Sequence, residues 1–145
     1  MAVLSLAVLF TLGKLPFPEP FDTRLTAAEV FESAFGEAVP PTVTDLQGAG
    51  EAWLDYTLYL RFRAEAVELS TILGKGGYGG WTPISWEEIG EKIAIQPAHQ
   101  KHFRPPWAPA SLSMKECYHR GSSLDDQYLV FERSSGICYF YGRGR

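Results

Sequence analysis

The stretch Trp53-Leu54-Asp55-Tyr56-Thr57-Leu58-Tyr59-Leu60-Arg61-Phe62 carries the clearest structural signal in the chain. Leu54, Tyr56, Leu58, Leu60 and Phe62 fall on one side of an extended backbone, and Asp55, Thr57, Tyr59 and Arg61 fall on the other. That period of two predicts a strand with an inward apolar row. A slip of one residue would bury Asp55 and Arg61 unpaired, so the cost of desolvating charge sets the register. Two further strands are read near the C-terminal end. Tyr128 to Glu132 and Ile137 to Tyr141 are rich in β-formers, and Arg133-Ser134-Ser135-Gly136 connects them as a hairpin. Both faces of that hairpin are apolar, which places at least one of its strands in the centre of a sheet.

Helices are read on either side of the first strand. Thr26 and Glu29 have capping-box spacing, Val30, Phe31, Ala34 and Phe35 make an apolar stripe, and Gly36 supplies a stop before Pro40 and Pro41. A second helix is expected from about Ala64 to Leu73, with Gly74 ending it. Ser85 and Glu88 repeat the capping-box spacing and open a short helix to about Ile93. Pro97 to Pro109 mixes proline, histidine and aromatic residues without a period and is expected to be a surface loop. These elements predict an α+β fold: a single domain whose antiparallel sheet of four or five strands has two or three helices packed on one face. Residues 1–21 form an apolar and proline-rich N-terminal segment, and 22–145 form the globular body.

Within that segment Leu4, Leu6, Val8, Phe10 and Leu12 alternate as in a half-buried strand, and the run is too short for a membrane span of roughly 20 residues. A strand or docked segment is the first reading. A signal-like segment is the second, although neither a preceding Lys or Arg nor an A-x-A-like cleavage site accompanies it. Pro16, Pro18 and Pro20 then enforce an extended linker.

The chain has 145 residues, 46% hydrophobic and 21% charged, enough apolar material for one core. Its net charge of −4 argues against nucleic acid as the main partner, because phosphate binding needs a basic face. Compartment and oligomeric state are left open. The cysteines Cys117 and Cys138 lack C-x-x-C spacing, and free thiols and a disulfide remain equally open.

Candidate chemistry is sparse. The glycines around Tyr78, from Gly74 to Gly80, follow a helix instead of preceding one and no Lys-Ser/Thr pair closes them. They therefore read as a flexible connection, not a phosphate cradle. His99, His102, Cys117 and His119 are too irregularly spaced for a preformed metal site, and the histidines read as solvent-facing loop residues, while Cys138, alternating with aromatics, reads as a small core residue. No G-x-S-x-G elbow is present, and no catalytic residue, cofactor or metal is assigned. Loop aromatics and cations stand out instead. Trp81, Phe103, Arg104 and Trp107, joined by Tyr59 and Arg61 from the strand's polar side, have the composition of a contact surface. In the competing reading the tryptophans fold back over the sheet.

The segment Asp55 to Phe62, ending in Arg-Phe, the helix after it, the Pro105-Pro106-Trp107 loop and the aromatic hairpin together resemble small uncharacterised bacterial proteins of the secreted or lipoprotein-like kind. The similarity spans about residues 28–142. It implies an exported domain with no assigned activity, although no lipobox cysteine stands near the N-terminus. The phrase from Thr26 to Pro41 is similar to immunity-type domains of toxin systems. Neither resemblance transfers functional residues. The expectation is a non-catalytic binding module for another protein. The alternatives are a small hydrolytic enzyme using the His99–His119 region and an envelope-associated accessory protein.

Overall fold

The computed structural model describes residues 24–52, 55–75, 80–121 and 125–145. The expectations for residues 1–21, for Leu54 and for residues 76–79 of the glycine run lie outside them. Helix α1 (Ala27–Phe35) leads into β1 (Thr44–Ala52), β2 (Tyr56–Arg63) and α2 (Ala66–Lys75). The short β3 (Thr82–Ile84), α3 (Trp86–Ile89), α4 (Pro97–Gln100) and a 3-10 turn (Pro109–Ser111) follow. Strands β4 (Lys115–Gly121), β5 (Asp125–Glu132) and β6 (Ile137–Gly144) complete the chain.

One antiparallel sheet of six strands, in the order β1-β2-β6-β5-β4-β3, organises the molecule. The α+β class stands; the count of four or five strands is corrected to six. Three strands are not legible in the sequence: the three-residue β3 and the weakly patterned β1 and β4. In β1, Gly48 and Gly50 interrupt any run of β-formers, yet Gly48 is required where it is. A Cβ there would stand 2.9 Å from the Ala27 Cα of α1, so the helix can cross the strand only over a glycine. In β4, Lys115-Glu116-Cys117-Tyr118-His119-Arg120-Gly121 is too charged to read as a strand from its own composition. The hairpin strands β5 and β6 occupy the middle of the sheet, as their two apolar faces require.

The expected inward row of β2 packs as read. Leu58, Leu60 and Phe62 are buried in a first core with Val30, Phe31, Ala34 and Phe35 of α1, Leu69 and Ile72 of α2, and Leu129, Phe131 and Phe140. Helix α1 is fixed at its start by the capping box: the Glu29 N–H donates to Thr26 Oγ1 at 3.3 Å, and the Thr26 N–H donates to Glu29 Oε2 at 2.7 Å. Gly36 closes it with a left-handed φ of 73°. Helix α2 begins two residues later than the expected Ala64, which instead docks on the hairpin turn, its N–H donating to the Gly136 carbonyl at 2.9 Å. It also runs through Gly74, which is exposed and costs the last turn little.

The two or three helices on one face are also corrected, to four helices among the described residues, distributed over both faces. The other face of the sheet carries Tyr59, Cys117, Tyr128, Val130, Tyr139 and Tyr141, and it is covered by residues 84–112 with α3 and α4 among them. Pro97 to Pro109 is therefore not a surface loop but the lid of a second core, with Phe103, Trp107 and Leu112 turned inward. An apolar sheet face has to be covered by something. Here a mostly irregular segment covers it.

Candidate functional site

The residues expected to form a contact surface separate into three environments. Tyr59 is fully buried, Phe103 is 2% exposed, Trp107 7% and Arg61 8%. These four belong to the second core, which corrects the expectation of exposed aromatics. Tyr59 meets Trp107 at 5.4 Å and Tyr141 at 5.2 Å between ring centroids, and Trp107 meets Phe103 at 5.0 Å and Tyr139 at 4.9 Å. The Arg61 guanidinium lies 5.9 Å from the Tyr139 ring centroid. Arg104 is exposed, but its backbone is clamped to β1. The Gln47 amide donates to the Arg104 carbonyl at 2.7 Å and accepts from the Arg104 N–H at 2.7 Å. Trp81 alone is half-buried at a different place, the end of the first face.

The histidines do not converge. His99 is buried against Tyr59 at 5.3 Å, which corrects its solvent-facing expectation, whereas His102 is exposed. His119 lies on β4 with Nε2 3.1 Å from Asp126 Oδ1 and its ring 4.9 Å from Tyr128. Among the described residues no group of three His, Cys, Asp or Glu side chains is arranged to hold a metal ion. Cys117 and Cys138 are free thiols on opposite faces of the sheet, so the disulfide alternative falls. Burial pushes both thiols up, which disfavours the thiolate that nucleophilic chemistry needs.

A cleft of about 400 Å³ opens between the hairpin turn and the start of α2, lined by Thr42, Thr44, Arg63, Arg133, Ser134 and Ser135 among others. Its cations are already met. Arg63 pairs with Asp45 at 2.9 Å, and Arg133 with Glu116 at 2.8 Å.

Arg120 is different. This residue, which sequence reasoning passed over, is only 5% exposed at the end of the first face. Its Nε donates to Gln127 Oε1 at 2.9 Å and its Nη2 to the Ala34 carbonyl at 2.8 Å. Gln127 Nε2 in turn donates to the Tyr56 hydroxyl at 3.4 Å. The guanidinium lies over Trp81, its central carbon 4.6 Å from the ring centroid. Yet Arg120 Nη1 and Trp81 Nε1 are both buried without a hydrogen-bond partner, and among the described residues no carboxylate forms an ion pair with Arg120. Burial pulls its pKa down, with the nearby Tyr56 opposing. The only sequence signal was the alternation of β4, which puts Arg120 on the Tyr118 side, facing the first core, and not with Cys117 and His119.

Family models, curated proteins and solved structures give no match to the chain.

Proposed function

We propose that the protein is a non-catalytic binding module that engages a protein partner through the sheet end carrying Arg120 and Trp81. The supporting observation is a guanidinium over an indole ring, each carrying a buried donor with no acceptor. An unmet buried donor costs about 1–3 kcal/mol, and a partner supplying the acceptor recovers that energy on binding. Arg and Trp are also the side chains over-represented where interface energy concentrates. The Gln127 and Ala34 contacts hold the guanidinium in place beforehand, so little ordering entropy is lost on binding. A photo-crosslinking residue at Pro83, exposed and paired with Tyr118 on the face that carries Arg120 and Trp81, tests the reading. It is expected to trap a protein that the same residue at the exposed Ala110, on the opposite face, does not trap. Equal trapping at both positions, or none at Pro83, would contradict the reading.

A second reading, a small hydrolytic enzyme using the His99–His119 region, draws support from the His119–Asp126 contact. A carboxylate that orients an imidazole is part of a general-base arrangement. Ester hydrolysis by the purified chain that disappears in His119→Ala would favour it. Hydrolysis absent from the wild type, or unchanged in His119→Ala and Asp126→Asn, would remove it.

A further inference from the structure

The chemistry of the unmet donors specifies what they would receive. Arg120 Nη1 and Trp81 Nε1 offer N–H groups and no lone pair, so only an acceptor completes them. The acceptors already present are taken up. Gln127 Oε1 accepts from Arg120 Nε and Nη2, and the Ala34 carbonyl accepts from Nη2. None of these neutralises the guanidinium, and a buried cation without a counter-charge is costly. One positive charge calls for one negative charge. A dianion would leave excess charge buried in the same place, while a neutral carbonyl would satisfy one donor and leave the charge unbalanced. A carboxylate has two acceptor oxygens, one for Arg120 Nη1 and one for the indole N–H, and its charge-assisted bonds are stronger than neutral ones. Access lies on the Trp81 side. The indole is half-buried and follows the exposed Gly80, and displacement of the ring by the incoming group is part of the proposed binding.

We propose that Arg120 and Trp81 form a carboxylate-binding site, which gives a chemical class to the partner group in the binding-module reading and rests on that reading. The carboxylate comes from an acidic side chain or from a chain terminus of the partner.

The test follows the Trp81 indole N–H and the Arg120 Nε–H by NMR in the full chain. The titrants are sodium acetate, acetamide, inorganic phosphate and two short peptides, one with a free C-terminal carboxylate and the other with a single Glu side chain and an amidated terminus. Acetate is expected to move both signals together, with acetamide and phosphate each weaker by tenfold or more. Trp81→Phe leaves an aromatic ring without an N–H, and should weaken acetate about tenfold, the loss of one hydrogen bond to a charged acceptor. Arg120→Gln should abolish the response in a chain whose spectrum shows it folded. Either peptide moving the signals supports the site, and the more effective one identifies the source of the carboxylate. Acetamide as effective as acetate, phosphate tighter than acetate, or an acetate response unchanged in Trp81→Phe would overturn the carboxylate site. The two readings fail separately. Crosslinking from Pro83 without any acetate response would sink the carboxylate and leave the binding module, whereas silence in both experiments would sink both.

Discussion

On the first face of the sheet Phe31, Phe35, Phe62 and Phe140 meet ring to ring at 4.8 to 5.9 Å beneath α1 and α2. The second face sets Tyr59, Tyr128, Tyr139 and Tyr141 beneath the irregular segment from Ile84 to Leu112. The difference follows from what each kind of ring needs. Phenylalanine asks only for apolar contact, and a helix, whose backbone groups satisfy one another, can provide it. Tyrosine and tryptophan bring an O–H or N–H that must find a partner when buried. A helical cover has few backbone groups to spare, but turns and short helix ends have them free. The Gln96 N–H, just before α4, donates to the Tyr59 hydroxyl at 3.3 Å, and the Ile93 carbonyl accepts from Trp107 Nε1 at 3.1 Å. The irregularity of this cover is thus part of how a polar-tipped aromatic face is closed.

The strongest way to break this comparison is to truncate one ring on each face. Phe35→Ala and Trp107→Ala should each lower unfolding free energy by about 3–5 kcal/mol, read by urea denaturation. A large loss for Phe35 beside one within about 0.5 kcal/mol for Trp107 would mean that only the helical face is core.

A smaller effect sharpens the role of the clamp. Gln47→Ala removes both hydrogen bonds that tie Arg104 to β1 and should cost about 2 kcal/mol, two bonds of ordinary worth. The loss should come with faster hydrogen exchange at the Arg104 N–H. Stability unchanged beyond a few tenths of a kcal/mol would show that the cover is held by ring packing alone.

The smallest effect concerns the hydroxyls. Tyr59→Phe leaves the Gln96 N–H without its acceptor and should cost about 1 kcal/mol near neutral pH. The same residue marks a pH dependence. Burial pushes the Tyr59, Tyr128 and Tyr141 hydroxyls above their ordinary range of about 10. A folded pKa above the unfolded one favours the protonated folded form. That stability is fully present below about pH 10 and is lost as pH rises through the folded values. The wild type should therefore lose stability in alkali more steeply than Tyr59→Phe. Parallel curves for the two proteins would show that the Tyr59 hydroxyl does not contribute.

What the sequence revealed follows the same division. The first face was legible because Leu58, Leu60 and Phe62 leave no doubt about their side of the strand, and because Thr26 with Glu29 marks a helix start by local chemistry. The second face was misread because Tyr59 and Arg61 have long apolar bodies and polar tips, so alternation alone cannot say whether they are covered. Their burial depends on residues some forty positions later, and that segment has no period of its own. Strand β1 was missed for a related reason: its glycines answer to the approach of α1, a tertiary constraint without a local signature. Arg120 was overlooked because a cation in a short charged strand looks like a solvated residue until Ala34, Gln127 and Trp81 are seen around it.

The claim that the second face is a closed core is tested most directly by hydrogen exchange at the Trp107 indole N–H, observed by NMR. That group donates to the Ile93 carbonyl inside the cover and should exchange only through opening of the fold, orders of magnitude more slowly than a solvent-exposed indole. Exchange at the rate of a free indole would contradict it, and would return Phe103 and Trp107 to the surface.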